Sequence, residues 1–231
     1  DVGAYEYEDL VYNNTSENKN LMTTAIDGIS TVIDTAGDFI DTGVQASEMP
    51  INNSINMWNK FYKTETKIVD GKSVKMTPKE IENQKEKATK RLNDGDYNVP
   101  KEAKSSIDVA TNIFNGQNGM NKETLTKLLS DIGQIESQYS TKIQYKGGPA
   151  RSYWQVEAAS ALDTLEQNAA SNNPIFGKDF EKQFASIIKG KSNTTVLKYL
   201  SSLSNSKMQK LLLDNSNLAA TIALGIVLNR Q

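Results

Sequence analysis

The chain has 231 residues, 26 Lys and Arg against 28 Asp and Glu, and neither Cys nor His. Disulfides, thiol nucleophiles, zinc sites on Cys or His, and every Ser-His-Asp or Cys-His arrangement are thereby excluded. Acid/base chemistry near neutral pH falls to Asp, Glu, Tyr or Lys, most commonly to a carboxylate in an unusual environment.

The net charge of −2 is unevenly laid out, with −9 in residues 1–59, +5 in 60–91 and +2 in the rest. That pattern describes an acidic arm before a nearly neutral body. Residues 1–20 carry no sustained periodicity. From Met22 the apolar positions fall at Met22, Ile26, Ile29, Ile33, Ala36 and Ile40, steps of four and three that make a heptad seam. Such a helix either folds back on its own domain or docks in a partner or a bundle of identical chains. Gly28 and Gly37 would each cost it about 1 kcal/mol relative to Ala, so packing must supply its stability.

After Pro50 come the aromatics Trp58, Phe61 and Tyr62, then Ile68 to Val74, where Asp70-Gly71 suits a two-residue hairpin turn. Thr77-Pro78-Lys79-Glu80 is a capping box with Pro at the first helical position, opening a charged helix to about Asn93. Residues 60–99 thus read as a hairpin and charged-helix connector. Their charges are mixed, so no nucleic-acid partner is expected, since that role needs a concentrated basic face. Asp94-Gly95-Asp96 lacks the later ligands of a calcium loop and reads as a turn.

Beyond Pro100 the periodicity predicts helices at about 102–114, 121–138, 152–170, 178–189, 194–203, 206–214 and 216–229, a helical domain over 100–231. The apolar run Leu218 to Leu228 is about half a bilayer span and reads as a buried helix. No membrane span is expected.

In 121–138 the residues Leu125, Leu128, Leu129, Ile132 and Ile135 form one stripe. Glu136 follows directly, beside the buried face and at the last turn, where burial and the helix dipole both oppose a negative charge. That is the setting of a general acid, though a surface Glu at a helix end fits the position as well.

Glu136-Ser137 is followed after a loop by Gly147-Gly148-Pro149-Ala150-Arg151-Ser152-Tyr153-Trp154-Gln155-Val156-Glu157-Ala158-Ala159-Ser160-Ala161. This resembles the lytic transglycosylase family of goose-type-lysozyme-like folds, which shows a Glu-Ser pair and then Gly-Ala-x-Gly-Leu-Met-Gln-Ile-x-Pro-x-Thr-Ala. The family Gln falls on Gln155, its Leu-Met on Tyr153-Trp154, its small Gly on Ser152, its first Ala on Ala150 and its Thr-Ala on Ser160-Ala161. The Gly-Gly-Pro-Ala-Arg form before aromatic-Trp-Gln looks like a variant of bacteriophage proteins. The likeness covers roughly residues 121–170. Departures are Ser152 for the Gly, Ala158 for the Pro, and Leu224 to Asn229 where the family has an Ala-Tyr-Asn whose tyrosine helps position the catalytic Glu.

The resemblance implies a mainly α, lysozyme-like helical domain carrying an N-terminal arm and a small β-hairpin. Glu136 would be the single catalytic acid/base on the bond between N-acetylmuramic acid and N-acetylglucosamine, with no cofactor and no metal. It further implies a substrate-binding set of Ser137, Tyr139, Arg151, Tyr153, Trp154, Gln155 and Glu157. Ser137 and Gln155 would bond substrate or orient Glu136, and Tyr153 and Trp154 would wall the cleft or stack on sugars. Arg151 would meet a substrate carboxylate or clamp the loop onto Glu157. The expected setting is a bacteriophage virion, with the enzyme acting on the host cell wall or periplasm during genome delivery and residues 22–44 docking onto other virion proteins or identical chains. The alternatives are a structural or ejection protein that keeps the fold without turnover, and an endolysin, which has no use for such an arm.

Overall fold

The computed structural model describes residues 51–63, 66–70, 72–93 and 97–231. The heptad stretch from Met22 to Ile40 and the Asp94-Gly95-Asp96 turn lie outside the described residues. Among them the fold is mainly α, with nine helices and two small sheets.

Helix α1 (Ile51–Met57) passes directly into a π-helical turn, Trp58–Tyr62, closed by Lys63 N–H donating to Trp58 O at 3.0 Å. Strands β1 (Thr66–Val69) and β2 (Lys72–Lys75) form the hairpin, with Val69 opposite Lys72. Asp70 adopts φ 52°, the left-handed conformation that the favoured two-residue turn demands. Helix α2 (Pro78–Asn93) starts from the capping box: Thr77 N–H donates to Glu80 at 2.8 Å and Glu80 N–H donates to Thr77 Oγ1 at 3.3 Å. Lys67 of the hairpin pairs with the same Glu80. Hairpin and helix are thereby joined at one carboxylate.

Then come α3 (Lys101–Phe114), α4 (Lys122–Ser137), α5 (Ala158–Ala170), α6 (Lys178–Phe184), α7 (Val196–Ser201), α8 (Asn205–Asp214) and α9 (Ser216–Asn229). The helix expected at 152–170 begins only at Ala158. Ser152 and Gln155 stand at φ 69° and 49°, left-handed values that a right-handed helix excludes. Residues 150–157 instead make a short ribbon, β3 (Ala150–Arg151) antiparallel to β4 (Val156–Glu157). The helix expected at 178–189 breaks at Phe184 into a 3₁₀ turn, Ala185–Ile188.

The centre of the core is α9, buried at every residue from Leu218 to Leu228. A helix apolar all round must be enclosed on all sides, and α3, α4, α5, α8 and the π turn enclose it. Gly225 lets Phe176 lie against this helix, since a Cβ there would collide with the Phe176 ring. Phe176 in turn packs edge-on to Phe114 at 5.5 Å and against Phe180 at 4.7 Å. The same apolar cluster takes in Ile55, Trp58, Phe61, Tyr62, Ala88 and Leu92, so the core reaches well before residue 100. Among the described residues no single helix is long and apolar enough to cross a membrane.

Candidate functional site

Glu136 stands in the last turn of α4, its side chain 6 % exposed. The apolar stripe of that helix is buried as a unit: Leu125, Leu128, Leu129 and Ile132 are fully enclosed and Ile135 nearly so. Burial of the stripe carries the neighbouring Glu136 inward with it. Arg91 at the end of α2 donates to Ile135 O, and Gln134 donates back to Arg91 O at 3.0 Å. The guanidinium thus satisfies a terminal carbonyl of α4 and places a positive charge at the negative end of the helix.

Both carboxylate oxygens are occupied. Trp58 donates its indole N–H to Oε1 at 2.8 Å, and the Lys63 ammonium lies 3.0 Å from Oε2. An α-helix would set positions 58 and 63 about 140° apart. The π turn, whose hydrogen bond joins these same two residues, brings them onto one carboxylate instead. Such turns occur mostly as single insertions and often at functional sites. Arg230, after the end of α9, donates to Phe61 O at 3.0 Å and fixes the turn to the core.

The downstream segment is fastened to the same place. Ser137 donates its hydroxyl to Tyr153 O at 2.7 Å and accepts from Tyr139 N–H at 3.1 Å. Tyr62 of the π turn donates to Trp154 O. Glu136, the π turn and the 152–155 turn therefore form one connected cluster. Of the eight non-glycine residues with positive φ among the described residues, four belong to it: Gln138, Tyr139, Ser152 and Gln155. Left-handed backbone costs such residues on the order of 1–3 kcal/mol each and gathers at functional sites. The concentration marks this corner rather than any other.

The residues singled out from sequence take unequal places. Trp154 is fully buried and donates its indole N–H to Leu129 O at 2.9 Å; its ring fills the core and does not face a cleft. Tyr139 is also core, its hydroxyl donating to Ser130 O at 2.9 Å, its ring against Gly133, where a Cβ would come within 2.5 Å. Burial first, then the Asp131 carboxylate, hold the Tyr139 phenol far above its ordinary range, so it stays a neutral donor. Arg151 braces its own loop, donating to Gly148 O and to Ala150 O at 2.8 Å. Glu157 stands opposite Ala150 in the ribbon. Gln155 turns its amide onto Ser152 O at 2.8 Å. Tyr153 is half-buried, its ring 5.7 Å from that of Tyr139 with the Lys142 ammonium 5.2 Å above it.

Trp58, Tyr62, Lys63 and Arg91 are the members that sequence reasoning missed. A helical wheel at 100° per residue does not unite 58 with 63, and nothing local ties 91 to 135. Among the described residues no three acidic side chains gather as a metal-ligand set. The arrangement offers one shielded carboxylate with a cation, an indole donor and a braced turn around it. Compared with family models, with curated proteins and with solved structures, the chain finds no match.

Proposed function

We propose that this chain is a peptidoglycan-cleaving lytic transglycosylase of a bacteriophage particle, acting during genome delivery with Glu136 as its one acid/base. The observation that carries the reading is the shielded Glu136 carboxylate, joined through Ser137 to the Tyr153 turn that the resemblance assigns to the substrate groove. Glu136, once it has taken a proton from water, would protonate the glycosidic oxygen as the bond to the muramic anomeric carbon breaks. The resulting carboxylate would then take the proton of the muramic 6-hydroxyl as that oxygen attacks the same carbon. The products are a 1,6-anhydro end and a free hydroxyl on the leaving sugar, with no water consumed and Glu136 protonated again. One carboxylate suffices, unlike the paired scheme of most glycosidases. The positioning donor, a tyrosine in the family, is here the Trp58 indole.

A zymogram on purified cell wall tests the reading, with Glu136→Gln expected to abolish clearing. Mass spectrometry of the products should show anhydro-muropeptides, and reducing ends alone would move the chain to the lysozyme class. A second reading, a structural or ejection protein that keeps the fold without turnover, is favoured by the engagement of both Glu136 oxygens and by the burial of Tyr139 and Trp154. Wall binding by the intact chain without clearing would select it. In either reading the heptad stretch anchors the chain in the particle, and Ile29→Asp with Ile33→Asp should block incorporation while sparing wall clearing or wall binding.

A further inference from the structure

The β1–β2 hairpin presents an uncovered face. Val69 stands opposite Lys72 and Lys67 opposite Val74, which sets these four residues on one side of the ribbon with the two valines diagonal to each other. Val69 and Val74 are each 42 % exposed, and Lys72 is exposed beside them. Among the described residues no helix packs closely on this hairpin. Two strands alone are marginally stable in water and need a third strand or a helix against their apolar face. A second copy of the hairpin is a poor cover, because Lys67 and Lys72 would be brought against like charges. Lys72, Lys75 and Lys79 have no carboxylate partner among the described residues. The face therefore suits an apolar stripe carried on an acidic segment.

Residues 22–40 have that chemistry. Their seam of Met22, Ile26, Ile29, Ile33, Ala36 and Ile40 is apolar, Asp27, Asp34 and Asp38 stand outside it, and no Lys or Arg occurs between Lys19 and Lys60. The net charge is −9 over residues 1–59 against +5 over 60–91, and opposite fields of that kind draw two segments together. The chain also delivers the one to the other. Helix α1 begins at Ile51, packs on α2 and continues through the π turn toward β1. That run of helix is about 18 Å long, whereas residues 41–50 can extend by about 30 Å, so the seam reaches the hairpin on a short tether and at high effective concentration. We infer that in the free chain residues 22–40 lie as an amphipathic helix on the Val69 and Val74 face of this chain's own hairpin. The inference is independent of the catalytic reading. It gives the seam its place before a particle takes it up.

The chain has no Cys of its own, so introduced pairs report the contact cleanly. Val74→Cys is combined in turn with Ile26→Cys, Ile29→Cys and Ile33→Cys in the full chain, and disulfide formation is followed in dilute solution by mass spectrometry. At least one pair should close within the monomer about tenfold faster than the same seam position paired with Ser73→Cys, which shares the tether but lies on the opposite face of the ribbon. Adding Lys72→Glu should abolish that preference. A second measurement leaves the hairpin sequence intact: amide exchange in β1 and β2 should be about tenfold faster in Ile29→Asp with Ile33→Asp than in the wild type, because an uncovered ribbon opens more often. Equal closure at positions 73 and 74, a preference that survives Lys72→Glu, or equal exchange with and without the seam overturns the inference. Disulfides that form only between chains overturn it as well, and assign the face to the arm of a second copy.

Discussion

Helix α4 carries two enclosed carboxylates, Asp131 and Glu136, and they are furnished almost alike. Asp131 is fully buried, with the Lys127 ammonium at 2.5 Å and the Tyr97 hydroxyl as second donor. Glu136 has a lysine at 3.0 Å and an indole at 2.8 Å. The difference lies in where the partners come from. Lys127 is one turn away on the same helix, so the Asp131 pair is closed on itself and serves the packing of α4 against the segment bearing Tyr97. The partners of Glu136 come from the π turn, which also grips the 152–155 turn through Tyr62. A buried carboxylate beside a lysine is thus no site in itself. Its connection to strained backbone and to a turn that also holds the 152–155 segment is what sets Glu136 apart.

The largest effects should come from exchanging the two carboxylates for amides. Asp131→Asn leaves the ammonium and the phenol around a neutral group and should cost about 3–5 kcal/mol, read from the denaturation midpoint, with wall clearing per folded molecule unchanged. Glu136→Gln leaves an ammonium and an indole around a neutral group in the same way and should cost a comparable amount, but there wall clearing per folded molecule should be lost. Were Asp131→Asn to lose clearing with its stability intact, the comparison would be wrong.

Gly133 lies between the two carboxylates and admits the Tyr139 ring, so Gly133→Ala should cost about 1–3 kcal/mol through overpacking, with Tyr139 displaced and its fluorescence altered. Trp58→Phe keeps most of the ring and removes the N–H. It should lower stability by about 1–2 kcal/mol and wall clearing by a larger factor than that loss explains, because Oε1 is no longer fixed. Equal losses in both would make Trp58 a core residue and nothing more.

The smallest effects concern pH. Lys67, then the Thr77 amide and hydroxyl, hold the Glu80 carboxyl down at about 2 against an ordinary 4.5, and Lys142 with Ser216 lowers Glu102. Carboxylates lowered in the folded state bind fewer protons there than in the unfolded chain. Their stabilisation is complete above the ordinary carboxylate range and is lost as pH falls toward the lowered values. The melting temperature should decline over that acid window, less steeply in Lys67→Met. On the alkaline side the sign reverses. Burial and the Asp131 carboxylate raise the Tyr97 phenol above its ordinary 10.0, so its contribution is full below that value and is lost above it. Tyr97→Phe should lessen the alkaline decline, and a variant declining as before would remove Tyr97 from the pH account.

Local signals in the sequence predict what depends on neighbours in the chain. The capping box at Thr77 and Glu80, the Asp70 turn, the buried Leu218–Leu228 helix and the stripe that draws Glu136 inward all rest on spacings of a few residues, where backbone geometry leaves little choice. The same spacings misplace the start of α5, because left-handed backbone at Ser152 and Gln155 is held by contacts with Lys142 and among the turn residues themselves. Trp154 and Tyr139 are aromatic either way, and only the packing around Leu129 and Gly133 makes them core. The tertiary structure alone decides that Trp58 and Lys63 meet Glu136, since that contact needs a π turn, a core that fixes it, and the folding of the chain across some seventy residues. Sequence periodicity encodes which face of an element is buried, whereas the identity of what covers it depends on loop closure and on the three-dimensional fit of side chains remote in sequence.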